Sequence, residues 1–241
     1  RLQALALPGD AIVAVHPWQV GYLHAYIPED DARPDLFLTP REVVPRERQL
    51  WANDPARMGA ELDGLLADHG RLWLLDHRAM GRVLESQIEA YLVERAYPAL
   101  SEWYGENTVL SLFAEGTTAE APAAGRTDEA PAAQFGDWLV LDRAALSPDP
   151  VEAGWGVLAV DLGWRLMADA PGPHQVGLRL VDEAGYLWAQ RDSAPKDGLE
   201  AFSEWAVGEP KLDRHGLLVP AGTPPGEYRI TLRVYQDEGA S

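Results

Sequence analysis

Between residues 115 and 134 the chain reads EGTTAEAPAAGRTDEAPAAQ, a stretch without one large apolar side chain. Such a segment has nothing to bury and so does not offset the entropy of ordering its backbone. A linker or long surface loop is therefore expected over residues 117–134, between one unit over 1–116 and another over 135–241. The hydrophobic period changes across this stretch, and with it the fold expected on each side.

In the first unit, short apolar runs alternate with helical periods. Ala11 to Val15 is β-branched and bounded by Gly9-Asp10 and His16-Pro17, which suits a buried parallel strand. Asp54 and Pro55 carry the chemistry of a helix start, Gly70 that of a stop, and Met58, Leu62, Leu65 and Leu66 fall on one face between them. Arg71 to Leu75 reads as a second strand. Met80, Leu84, Ile88, Tyr91 and Leu92 mark a helix ending before Pro98, and Thr108 to Ala114 reads as a third strand. Strands and helices in alternation predict right-handed crossovers onto a mostly parallel sheet.

In the second unit the period is two. Leu158, Val160, Leu162, Trp164 and Leu166 alternate with Ala159, Asp161, Gly163 and Arg165, and Val176, Leu178 and Leu180 follow the same rule. Asp182-Glu-Ala-Gly185 is a hairpin turn into Tyr186 to Arg191, and Pro224-Pro-Gly226 leads into a last strand carrying Tyr228, Ile230, Leu232 and Val234. The expected fold class is a small Rossmann-like parallel α/β domain followed by an antiparallel β-sandwich, Ig-like or jelly-roll-like.

Charge narrows the partners. Asp and Glu number 38 against 20 Lys and Arg, a net charge of −18, and the only lysines are Lys196 and Lys211. Neither a phosphate backbone nor an anionic leaflet suits such a surface, so no nucleic acid and no direct anionic-membrane docking is expected. Both sides of the linker are acidic, with 10 Arg against 18 acids through Gly116. Cysteine is absent, which removes disulfides and thiolate chemistry. The chain carries no G-x-S-x-G, no Gly-rich phosphate loop ending in Lys, no H-E-x-x-H and no EF-hand pattern; no cofactor is expected. Its apolar runs fall far short of the roughly 20 residues that span a bilayer. It begins at Arg1 without Met or a signal-like segment, so it is expected to be a piece of a longer protein.

The sandwich sequence carries an apolar strand ending in Trp164-Arg165, then Asp182 and Gly185 at a turn, and then Gln190, Asp192 and Pro195. Trp205, Gly208, Glu209, Asp213, Pro225, Gly226 and Tyr228 follow. In order and spacing this resembles the C-terminal soluble domain of bacterial multi-spanning glycosyltransferases of the dolichyl-phosphate-mannose mannosyltransferase-like superfamily. Leu7-Pro8, Ala11 and Gly70-Arg-Leu-Trp73 are similar, more loosely, to the α/β segment preceding it there. The resemblance implies an extracytoplasmic accessory domain of an integral-membrane enzyme that transfers sugar from a polyprenyl-phosphate donor. Its partners would be the membrane-embedded remainder of that chain and a glycan or glycosyl acceptor. The family's catalytic acids lie between early membrane spans, so no residue here inherits a catalytic role.

Two candidate sites follow from the residues. Ligands of open parallel sheets bind beyond the carboxyl ends of the strands, where this chain places His16 and Asp76-His77. If the strands are neighbours, His16, Asp76 and His77 converge as a general acid/base pair or part of a divalent-metal site, against a plainer role as loop and capping residues. The second candidate is a sugar-stacking face on the sandwich, formed by Trp188, Gln190, Asp192 and Trp205, with Trp164 assigned to the core. Packing alone is the plainer account of these aromatics. Glu29-Asp30-Asp31 reads as a solvated turn. Three functions remain open: the accessory domain, a stand-alone carbohydrate-binding protein, and a soluble hydrolase using His16 and His77.

Overall fold

The computed structural model describes residues 1–27, 34–39, 51–78, 83–120, 133–147 and 150–236. Met80, the Glu29-Asp30-Asp31 turn and residues 121–132 of the expected linker lie outside them. Strand dominates, and the chain divides into two compact units, Arg1–Glu115 and Gly116–Ser241.

The first unit runs α1 (Leu2–Leu5), β1 (Ala11–Ala14), α2 (Pro17–Tyr26), β2 (Asp35–Leu38), α3 (Pro55–His69), β3 (Arg71–His77), α4 (Val83–Arg95), β4 (Tyr97–Tyr104) and β5 (Thr108–Ala114). Its strands form one sheet in the order β2-β1-β3-β5-β4. β1 is parallel to both β2 and β3, whereas β5 is antiparallel to β3 and β4. The expectation of a mostly parallel sheet therefore fails at Thr108–Ala114. No helix carries the chain into β5; it arrives through a tight hairpin from β4, with Gly105 at φ +62°. The sequence reading missed β4 because Pro98 looks like a helix stop; here it sits beside a register shift, where a strand tolerates the missing N–H.

α3 forms as its ends dictate. Asp54 Oδ1 accepts the Arg57 N–H at 3.0 Å, and Gly70 closes the helix at φ +69°. Met58, Leu62 and Leu66 then pack with Leu84, Ile88 and Leu92 of α4 over Val13, Leu72, Leu74 and Phe113. Each such fully buried side chain contributes roughly 1.5–3 kcal/mol.

On β3, Arg71 and Trp73 have the parity opposite to Leu72 and Leu74. Arg71 lies 3.1 Å from Asp10 Oδ2, and the Trp73 indole N–H donates to the same oxygen at 2.7 Å. Asp10 is 2 % exposed. Burial pushes its carboxyl above the ordinary range against the opposing pull of Trp73, the Leu7 N–H and Arg71, and burial also holds Arg71 below the usual guanidinium range.

The second unit comprises β6 (Ala119–Glu120), β7 (Ala133–Phe135), β8 (Leu139–Leu146), β9 (Gly156–Leu166), β10 (His174–Val181), β11 (Leu187–Ser193), β12 (Pro210–Val219) and β13 (Arg229–Gln236). One sheet has the order β12-β9-β8-β6, with β7 also on β8, and the other β11-β10-β13. Every pairing is antiparallel. Leu139, Leu141, Val160, Leu162, Trp164, Val176 and Leu178 share one core with Phe202 and Trp205, as expected of a β-sandwich. Residues 119–120 and 133–134, linker by composition, are strand residues on β8. Beside them the Thr118 hydroxyl donates to buried Asp161 Oδ2 at 2.7 Å, a contact no periodicity reveals.

Candidate functional site

Order 2-1-3 is where a parallel sheet reverses its direction of growth, and the crevice beyond the carboxyl ends of β1 and β3 is its natural ligand position. These strands are neighbours, with Ala14 opposite Leu75. His16 follows β1 and serves as the N-cap of α2, with Pro17 in the first turn. Gln19, fully buried, accepts the His16 backbone N–H at 2.8 Å and donates to the Leu75 carbonyl at 2.9 Å, so it ties the start of α2 to the end of β3.

Three side chains meet His16 and His77 there. His16 Nε2 lies 2.8 Å from Glu85 Oε1, on the first turn of α4, and the Glu85 side chain is 1 % exposed. Neither Oε1 nor Oε2 of Glu85 accepts an aligned hydrogen bond among the described residues, so the approach of His16 is close in distance only. The Trp18 ring stacks on His16 with centroids 5.5 Å apart and stands edge-on to His77 at 5.2 Å, yet Trp18 remains 48 % exposed. Tyr22, one turn along α2, meets Trp18 at 6.0 Å and is also exposed. His77 Nδ1 lies 3.4 Å from the Thr108 hydroxyl.

Asp76 takes another course. Strand alternation sends it to the opposite face from His77. Arg78 Nε donates to Asp76 Oδ2 at 3.0 Å and its Nη2 to Glu89 Oε1 at 3.1 Å, while the guanidinium lies over Trp103 at 4.7 Å. Asp76 is 2 % exposed. His16 and His77 are thus joined through Trp18, while Asp76 belongs to an ion-pair network beside them. Among the described residues no group of three or more His, Asp and Glu is arranged to hold a metal ion.

Sequence reasoning missed Glu85, Glu89 and Trp18. The available signal was an acid pair at i and i+4 among Leu84, Ile88 and Leu92, where a solvated face would not fall.

The sandwich candidates separate. Trp205 is a correction: it is 5 % exposed, packs edge-on to Phe202 at 4.9 Å and donates its indole N–H to Glu200 Oε2 at 2.6 Å, so no sugar ring reaches it. Trp188 is half-buried. It packs on the cluster of Leu180, Ala189, Leu217 and Val219 because β11 shifts register against Leu180 and Val181. Its indole N–H donates to Asp182 Oδ2 at 3.0 Å. That bond, with the Tyr186 backbone N–H, holds the Asp182 carboxyl below its ordinary value of 3.8. Gln190 and Asp192 are exposed, and Asp192 Oδ1 accepts the Tyr235 hydroxyl at 3.0 Å.

Behind β11 lies a buried network. Asp213, fully buried, accepts the Lys196 backbone N–H at 2.9 Å on Oδ1 and faces His215 Nε2 at 2.8 Å through Oδ2. His215 Nδ1 lies 3.4 Å from Ser193 Oγ and 3.5 Å from Arg191 Nη1. Since Arg191 can only donate, Nδ1 accepts and Nε2–H donates to Asp213. Arg191 also pairs with Asp197. Lys196 and Asp197 have φ of +52° and +55°, an unusual pair for residues with a Cβ. The Ser, His and Asp identities are those of a hydrolytic triad, but the His215 and Asp213 side chains are 1 % and 0 % exposed, and the network clamps a strained turn instead.

No family model, curated protein or solved structure matches the chain.

Proposed function

We propose that this chain is a non-catalytic extracytoplasmic accessory module of an integral-membrane glycosyltransferase that uses a polyprenyl-phosphate sugar donor, and that it engages glycan at the end of β1 and β3. The observation that carries the glycan part is Trp18, a half-exposed indole held between two imidazoles beside the buried Glu85 carboxylate. An indole face covers the C–H face of a sugar ring, and the half-exposed Trp18 presents such a face to solvent. In this reading the 2-1-3 strands are a Rossmann-like core, and the sandwich, Ig-like or jelly-roll-like, is a support.

Binding is favoured over hydrolysis by the partners of the titratable groups. Asp76 and Glu89, the acids beside the histidines, are engaged by Arg78. The motif residues that carry the family resemblance also have structural roles: Arg165 is bidentate to Asp142, Asp182 holds the β10-β11 turn, and Asp213 holds the turn after β11.

Calorimetric titration with mannosides and mixed oligosaccharides tests the reading. Saturable binding lost in Trp18→Ala, with an unchanged circular dichroism spectrum, is expected; no binding to any glycan, or full binding by the variant, overturns it. The accessory role is tested in the parent reading frame, where membrane spans upstream of Arg1 are expected. A signal peptide there would instead mark the stand-alone carbohydrate-binding protein.

A further inference from the structure

The sandwich contains a cleft of about 450 Å³, a volume within the range that holds small organic ligands. Val151, Leu158, Leu180, Val219, Tyr228 and Ile230 are among the residues that line it. Its polar side chains are already engaged. Ser147 Oγ accepts the Ala159 N–H at 2.8 Å, Thr223 Oγ1 donates to the Pro220 carbonyl at 2.8 Å, and the Tyr228 hydroxyl donates to the Pro224 carbonyl at 2.6 Å. Each hydroxyl thus spends one bond within the protein, and most of the remaining described lining is apolar, so a hydrogen-bonding group deep in the cleft would find few partners to replace its water.

Glu152 is the exception. It is exposed and carries the only charge among the described residues lining the cleft. The turn behind it is fixed: Gly154 and Trp155 have φ of +108° and +78°, and both N–H groups reach the Val219 carbonyl, at 3.3 and 2.7 Å. A Cβ on Gly156 would sit 2.5 Å from the Glu152 carbonyl oxygen, so this close turn requires glycine. A mostly apolar interior with one carboxylate among its described lining residues favours one kind of occupant.

We propose that the cleft binds the alkyl chain of a single-chain amphiphile, with an uncharged or cationic head beside Glu152, and that it discriminates against anionic heads. The chain fills the apolar interior, and the charge of Glu152 selects the head by Coulomb repulsion or attraction.

The test uses the full 241-residue chain with decanol, decylamine and decanoate below their aggregation concentrations, followed by calorimetry. Saturable one-to-one binding of decanol and decylamine is expected, with decanoate weaker by about tenfold or more. Ile230→Trp, which fills the cleft, should abolish binding of all three while the thermal transition persists. Should that variant fail to fold, Glu152→Lys decides, because the residue is exposed: it should invert the preference between decylamine and decanoate. Trp18→Ala should bind all three probes as the unaltered chain does, which separates this cleft from the glycan site. Absence of saturable binding, or an amine-to-carboxylate preference unmoved by Glu152→Lys, overturns the proposal.

Discussion

His16 Nε2 lies 2.8 Å from Glu85 Oε1, and this pair joins the end of β1 to the first turn of α4. Glu85 is almost completely buried, and the imidazole is a polar group that the described residues bring within ion-pair distance of it. Glu85→Ala should cost about 1–3 kcal/mol in a urea melt, the range for depriving a buried polar group of its partner. The same change should loosen the His16 ring against Trp18 and shift the indole emission. A melt and a spectrum identical to the parent's would show that the contact contributes nothing.

Asp10 and Arg71 are a buried ion pair, and removing one partner differs from removing both. Asp10→Ala leaves the Arg71 charge without its carboxylate and should cost about 3–5 kcal/mol, whereas Asp10→Asn with Arg71→Met should cost much less. The pH dependence has a definite sign. Because burial raises the folded-state carboxyl above its ordinary 3.8, the folded chain binds the extra proton between 3.8 and that raised value. Stability from this group therefore falls as pH rises through that window and is lowest above it. Denaturant midpoints of parent and double variant from pH 3 upward would expose the difference.

Asp213 holds the turn after β11 by two bonds, from the Lys196 N–H and from His215. Asp213→Ala orphans both donors in a buried place, at roughly 1–3 kcal/mol for each. Hydrogen exchange at the Lys196 amide should accelerate more than exchange at Leu178 in the core. Uniform acceleration would mean the turn is not a separate unit.

Asp182 works in the opposite sense from Asp10. Trp188 and the Tyr186 backbone lower its carboxyl, so its stabilisation is present above 3.8 and is lost as pH falls through the lower folded value. Acid titration should change Trp188 emission below pH 3.8, and Asp182→Asn should remove that step from the titration curve.

Local chemistry reaches far in this chain. The cap at Asp54, the stop at Gly70, the strand at Ala11–Ala14 and the alternation through Trp164 and Val176 were all legible, because each depends on neighbours within a few residues. The hairpin from β4 into β5 was not, since Pro98 has the same meaning locally at a helix end and at a strand irregularity. His16 and His77 could be named from the sequence, because strand ends are local. Glu85 could not, because its place against His16 depends on how α4 crosses the sheet.

Residue spacing along the chain shows where the hydrophobic period is helical and where it is two, and the composition carries a net charge of −18. Which polar residues lose their water follows from the packing of the folded chain. Trp205 and Trp18 look alike along the chain, but one packs on Phe202 inside the sandwich core and the other stands half in solvent between two imidazoles. Burial arises from surfaces brought together from distant segments, and no local pattern contains them.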